Sequence, residues 1–220
     1  MKIVPFKIYH IYNQGNNREK IFYLEEDYLE FLKLFRKYVY IHCKVLAYCL
    51  MPNHFHFLIY TSEDLAETIR VGNIDSCKLS NGFRLLQSGF ARYINQRRNR
   101  TGSLFRQKAK AKSMSDGDGN YQITAFNYIH QNPYQSGLVK KLEDWDFSSF
   151  RDFAGLRNGT ICDKLLAEKL IDFDKNNFVD ESYCNINDAL LHKIFDKRDW
   201  APVGAESQTG DGIGVSTGGH

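Results

Sequence analysis

Hydrophobic and polar positions along this chain keep changing period. Residues 6–13, FKIYHIYN, alternate loosely in β-prone residues and run into QGNNREK, where Gly15, Asn16 and Asn17 tolerate turn geometry; a first strand and a polar loop are predicted. From Glu25 to Val39 the apolar Tyr28, Leu29, Phe31, Leu32, Leu34, Phe35, Tyr38 and Val39 recur at three- and four-residue spacing, as a helix with one face on a sheet requires. Residues 42–50, HCKVLAYCL, predict a second strand. MPN breaks it, and HFHFLIYT predicts a third, antiparallel to the second across that short connection. Past Ser62 the pattern predicts helix to about Arg70 and, beyond VGNIDS, again from Lys78 to about Asn99. A fourth strand is expected across 103–114, SLFRQKAKAKSM, because Arg106, Lys108, Lys110 and Lys112 alternate with Phe105, Gln107, Ala109 and Ala111. One face of that strand is then basic.

Beyond the SDGDGN turn, YQITAFNYIHQN predicts a helix that stops near Pro133, since a residue preceding proline is biased away from helical geometry. The order strand, helix, strand, strand, helix, strand, helix is the split βαβ pattern. It implies an α+β chain with a ferredoxin-like antiparallel sheet and helices packed on one side. Residues 140–200 read as further helical material, with Trp145, Phe147, Phe150 and Phe153 as packing anchors and a C-terminal helix near 186–197. The tail from Ala201 is rich in Gly, Ser and Thr and has little to bury, so disorder is expected at 201–220.

Composition narrows the class. A chain of 220 residues suffices for one domain of about 150 residues plus appendages. An aromatic share of 14% against 4 prolines suits a packed globule rather than a disordered chain. Five cysteines, odd in number and without CxxC spacing, signal neither a disulfide framework nor a zinc–thiolate site. The N-terminal MKIVPFKIYH is too short and polar for a signal-peptide core, and no apolar run approaches the ~18–20 residues that span a bilayer. A cytoplasmic protein with no membrane partner is expected.

The net charge of +3 is mild, so a polyanion would be bound only where basic residues cluster. Candidates are Arg18 and Lys20 in the first loop, Arg92, Arg97, Arg98 and Arg100 near the end of the long helix, and Arg106, Lys108, Lys110 and Lys112 on the fourth strand. Such runs are commonly solvated faces. These bracket the most unusual stretch of the chain, MPNHFHFLIY, in sequence.

In that stretch His54 and His56 interrupt an otherwise apolar strand. Strand side chains alternate faces, so the two imidazoles point the same way, roughly 6.5–7 Å apart, close enough to converge on one ion. The plainer alternative is a pair of satisfied polar residues on a half-buried strand. In NYIHQNPYQSG, Tyr128 and Asn132 are four apart and share a helical face, so an amide oxygen and a phenol oxygen could complete a site. There the alternative is a core tyrosine with its hydroxyl tied off and a helix C-cap at Asn132. His130 belongs to another face of that helix.

Taken jointly, MPNHFHFLI and YIHQNP resemble the HUH class of single-strand tyrosine transposases, in particular the REP-associated tyrosine transposases and their insertion-sequence relatives. YHIYNQGNNREKIF, TGSLFRQKAKAKS, NPYQSGLV and DWDFSSFRDF extend the resemblance over roughly residues 6–155. It implies an HUH domain over 1–155, followed by a helical extension at 156–200 that has no family match. By the same resemblance His54, His56 and Asn132 hold Mg²⁺ or Mn²⁺, and Tyr128 is the nucleophile. Relatives bind single-stranded, often hairpin, DNA and leave a 5′-phosphotyrosine and a free 3′-hydroxyl. Insertion-sequence relatives are dimers with the site shared in trans; REP-associated ones are typically monomers, the state favoured here.

Three positions depart from the family pattern. Phe105 and Arg106 stand where an aromatic–acidic pair is common, Gln14 where an arginine is common, and Tyr134 where a small aliphatic residue follows the proline. None removes a group from the implied site. Two rival functions stay open: a catalytically inactive protein of the same fold that binds hairpin nucleic acid, and a metal-dependent hydrolase in which the histidines activate water and no tyrosine is needed.

Overall fold

The computed structural model describes residues 3–62, 68–71, 74–115, 120–186 and 190–191. Strands among them are β1 (Ile8–Gln14), β2 (Lys44–Met51), β3 (His54–Tyr60), β4 (Thr68–Val71), β5 (Ile74–Cys77) and β6 (Lys110–Ser113). Four of these form an antiparallel sheet in the order β2–β3–β1–β6, the split βαβ arrangement, and β4 and β5 make a separate hairpin. The α+β class expected from the pattern is the one observed.

Alternation along the strands sorts the core into two layers. Tyr9, Ile11, Val45, Tyr48, Leu50, Phe55, Phe57 and Ile59 point to one face, where α1 (Glu25–Tyr38) and α2 (Lys78–Arg97) cover them with Phe31, Phe35, Phe83, Leu86 and Phe90. Gly82 lets those two helices close up, because a Cβ there would collide with the Tyr38 carbonyl. Buried Asp27 holds the start of α1 by accepting from the backbone N–H groups of Tyr23 (2.8 Å) and Leu24 (3.0 Å).

Helices were expected on one side only, but the opposite face is covered too. Ile8, Leu46, Ala47, Cys49, Met51 and Leu58 pack under α3 (Asn120–Gln135), α4 (Phe150–Phe153), α5 (Lys164–Leu170) and α6 (Phe178–Glu181). The reason lies in β2 and β3, which are apolar at successive positions over 45–51 and 57–59 rather than at alternate ones and therefore need a layer on each side. Phe126 of α3 is enclosed by Phe153 and Phe173, at ring-centroid distances of 5.0 and 4.9 Å. Trp145 donates its indole N–H to the Leu50 carbonyl at 3.0 Å, and Phe147 stacks on Tyr28 at 3.9 Å, as packing anchors should.

Other expectations shift. Residues 68–71, expected to end a helix, form β4 instead, in keeping with β-branched Thr, Ile and Val at three of four positions; 63–67 lie outside the described residues. The fourth sheet strand contracts to Lys110–Ser113. The segment before it meets the end of β1 and the start of the following loop at a short antiparallel bridge of Gly15 with Phe105, with Asn16 N–H to the Leu104 carbonyl (2.9 Å) and Arg106 N–H to the Gln14 carbonyl (3.0 Å). Helix α3 runs through Pro133 to Gln135, since a proline so near the C-terminal end removes one hydrogen bond, and Gly137 at φ 70° then turns the chain. Most of the helix expected at 186–197, and the tail from 201, lie outside the described residues. All five cysteines are free thiols. Among the described residues no helix is long and apolar enough to cross a membrane.

Candidate metal and nucleic-acid site

The register of β1 against β3 pairs Gln14 with His54 and Tyr12 with His56. Phe55 and Phe57 point into the α1/α2 layer, so His54 and His56 occupy the face on which α3 packs. There His56 meets the Tyr128 ring edge-on at 5.6 Å, and Asn132 lies close enough to the His54 ring to favour its protonated form. Asn132 Nδ2 donates to the Tyr128 carbonyl at 2.7 Å, which leaves Oδ1 as its remaining acceptor. Helix α3 continues past Asn132, so this residue is not a C-cap. The four side chains named from the sequence meet on one face of the sheet within a single chain.

Two further side chains join them that periodicity did not single out. His10 of β1 lies beside His56, with Nε2 2.8 Å from His56 Nδ1 and the rings stacked at 5.0 Å. Asn53, in the β2–β3 turn, places Oδ1 2.6 Å from His54 Nδ1. The available signal was the period-two HxY of His10 and Tyr12, but it gains meaning only once β1 and β3 are in register. His130 lies away from this group, buried with Nε2 2.8 Å from Ser149 Oγ.

Burial pushes the His10 imidazolium down to about 3, helped by Lys112, and His54 down to about 4, against a partial rise from Asn132; it holds His56 well below the usual range. The rings are therefore neutral at pH 7, the form that binds metal. His56 Nε2 is buried and has no protein hydrogen-bond partner, an arrangement that suits a cation beside a second imidazole and an amide oxygen. Among the described residues no group of three or more His, Cys, Asp or Glu side chains is arranged to hold a metal ion, so such a site depends on Asn132 as a donor.

A cleft of about 190 Å³ opens against the histidines, lined by His54, His56, Tyr12, Arg106, Lys108 and Lys110 among others. Lys110 Nζ lies 5.6 Å from the Tyr12 ring centroid, and Lys112 pairs with His10 in the β1–β6 register. The remaining basic candidates sit elsewhere. Arg97, Arg98 and Arg100 approach Glu26 (3.8 Å), Asp27 (3.8 Å) and Glu19 (3.6 Å), and Arg98 covers the Tyr23 ring at 3.7 Å. Lys20 is exposed on the loop after β1, and the Arg18 carbonyl accepts from Asn53 Nδ2 at 3.2 Å. Tyr128 is only 3% exposed and does not line the cleft. Its helix is pinned from behind by Gln131, which donates to the carbonyls of Ser182 and Cys184 at 2.8 Å each.

The sheet order gives the chain a ferredoxin-like α+β fold. Comparison with solved structures agrees: a REP-associated tyrosine transposase bound to a REP hairpin superposes with a TM-score of 0.51 at 19% identity, over 74% of this chain and 92% of that one. No family model matches the sequence, and no curated protein does. The likeness is one of fold.

Proposed function

We propose that this protein is a metal-dependent single-strand DNA nicking and rejoining enzyme that acts on hairpin DNA. The observation that carries the reading is the convergence of His54, His56, Asn132 and Tyr128 beside a cleft lined by Arg106, Lys108 and Lys110. The solved structure of similar fold holds a REP hairpin.

In this reading His54, His56 and Asn132 hold Mg²⁺ or Mn²⁺, which when bound offsets charge on a phosphodiester oxygen. Two imidazoles and a carboxamide add no negative charge, so the cation's electrophilicity is retained. The basic side chains of the cleft draw in the DNA backbone and orient one phosphate. The Tyr128 oxygen attacks phosphorus and surrenders its proton to solvent; the bond to the 3′ oxygen breaks, and that oxygen takes up a proton. The products are a 5′-phosphotyrosine and a 3′-hydroxyl, and attack by a 3′-hydroxyl reverses the step and rejoins strands. Tyr128 is covered, so its hydroxyl reaches phosphate only after its side chain or α3 shifts toward the cleft. All four groups come from one chain, which favours a monomer with its site in cis over a dimer with a shared site; light scattering after size exclusion decides between them.

Incubation of the protein with labelled hairpin oligonucleotides and Mn²⁺, followed by denaturing electrophoresis, tests the reading. A protein-linked strand is expected, and none with Tyr128→Phe. Hairpin binding without any cleavage would leave the inactive binding protein of the same fold as the answer. Cleavage that survives Tyr128→Phe would point to a hydrolase.

A further inference from the structure

A histidine can give only one of its ring nitrogens to a cation while the other carries a proton, and the hydrogen bond made by the second nitrogen selects the tautomer. Here both δ-nitrogens of the histidine pair are engaged. Asn53 Oδ1 lies 2.6 Å from His54 Nδ1. The Asn53 amide cannot be turned round without loss, because its Nδ2 donates to the Arg18 carbonyl at 3.2 Å. An amide oxygen only accepts, so His54 carries its proton on Nδ1 and keeps a lone pair on Nε2. On the neighbouring strand position, His56 Nδ1 lies 2.8 Å from His10 Nε2. Either ring could donate in that contact, but the alternatives differ at the far side of His56. If His10 donates, His56 carries its proton on buried Nε2; if His56 donates, His10 carries its proton on Nδ1, which is buried in the same way. Hydrogen-bond counting therefore weighs the two alike, and the choice follows from a cation on His56 Nε2, which needs the lone pair there.

We infer that His10 and Asn53 are positioning residues which hold His56 and His54 in the Nδ1–H tautomer, so that both ε-nitrogens present lone pairs to one divalent cation. The inference deepens the metal-site reading above and rests on it. The two clamps are unlike in origin. His10 reaches across the β1–β3 ladder and packs beside both Tyr12 (4.8 Å) and His56 (5.0 Å). Asn53 acts from the tight β2–β3 turn, and through Arg18 it couples His54 to the loop after β1. That loop is in turn fastened to the same turn: the Gly15 N–H donates to the Asn53 carbonyl at 2.7 Å, and Ile21 N–H to the Pro52 carbonyl at 2.8 Å. The orientation of one ligand thus depends on a loop whose arginine has been read as a DNA contact.

Two readouts test this, one of which starts without metal. In protein with ¹⁵N-labelled histidine, long-range proton–nitrogen correlation spectra should show His54 protonated at Nδ1 in the metal-free state, and His56 as well once Mg²⁺ is bound. Calorimetric titration with Mn²⁺ should then show affinity falling about 10- to 100-fold in His10→Phe, which keeps the ring stack and deletes the acceptor, and by a similar factor in Asn53→Ala. His10→Gln, whose amide oxygen can accept the same proton, should stay within about threefold of the parent. An Nε2–H tautomer at His54 in the metal-free parent protein or at either histidine with Mg²⁺ bound, or unchanged Mn²⁺ affinity in both His10→Phe and Asn53→Ala, overturns the inference. Failure of the parent to bind Mn²⁺ would overturn the metal-site reading instead, and the His54 tautomer would still be read from the spectra.

Discussion

Tyr128 presents its ring to the edge of His56 at 5.6 Å while only 3% of the residue is exposed, so one phenol serves the packing of α3 and stands beside the histidine pair. The core reading and the nucleophile reading of this residue are therefore compatible. Tyr128→Phe keeps the ring and deletes one oxygen. Stability should change by no more than about 1 kcal/mol, the net worth of one hydrogen bond, and hairpin affinity should stay within about threefold. The covalent adduct should vanish. Urea unfolding, fluorescence anisotropy and denaturing gels read the three effects separately, and a large loss of stability would mean that the hydroxyl anchors the fold.

The basic residues divide into two groups by what they touch. Arg106, Lys108 and Lys110 line the cleft, whereas Arg97, Arg98 and Arg100 approach carboxylates at the start of α1 and in the first loop. Each cleft residue changed to Ala should flatten the dependence of log affinity on log salt by about 0.7 for single-stranded DNA. Arg98→Ala should leave that slope alone. An equal effect from all six would mean that DNA also runs along the end of α2.

Asp27 is fully buried and joins three partners: the N–H groups of Tyr23 and Leu24, and Arg98 at 3.8 Å. Asp27→Ala strips the cap from α1 and leaves two donors to find other acceptors. A loss of about 2–4 kcal/mol is expected in chemical unfolding, with hairpin affinity of the folded fraction unchanged. A loss below about 0.5 kcal/mol would show that water replaces the carboxylate.

What could be read in the sequence follows from the range of each signal. HxH in a strand and Tyr128 with Asn132 in a helix are local, period-set relations, and the folded chain brings them together. Phe31 and Phe35 were legible as core for the same reason. His10 and Asn53 were not, because their roles depend on a strand register and a turn geometry that join distant positions. The second helical layer was hidden likewise: continuous apolar runs at 45–51 in β2 and 57–59 in β3 call for cover on both faces, but only tertiary packing shows which segments supply it. Alternation over 103–114 promised a longer strand than forms, since pattern alone does not reveal a register slip: Tyr12 pairs with Lys110 but Gly15 bridges Phe105, so the four residues 106–109 face only two of β1 and leave the regular ladder.

His130 offers a test of the second layer that is independent of DNA. Its ring is fully buried, touches Phe126, Phe150, Phe153 and Phe178, and bonds to Ser149 Oγ through Nε2. Burial pushes it from 6.5 down to about 3. Below about pH 6.5 the unfolded chain binds a proton at this residue that the folded chain refuses, so stability is complete above that pH and is lost as pH falls toward 3. At one proton the loss is about 1.4 kcal/mol per pH unit, or about 2 kcal/mol by pH 5. His130→Gln can still donate to Ser149 and has nothing to titrate. It should be less stable than the parent at pH 7, by about 1 kcal/mol for poorer packing, and should lose less on going to pH 5. Urea midpoints at the two pH values measure this directly, and parallel losses in parent and variant would mean that water reaches the imidazole between α3 and α6.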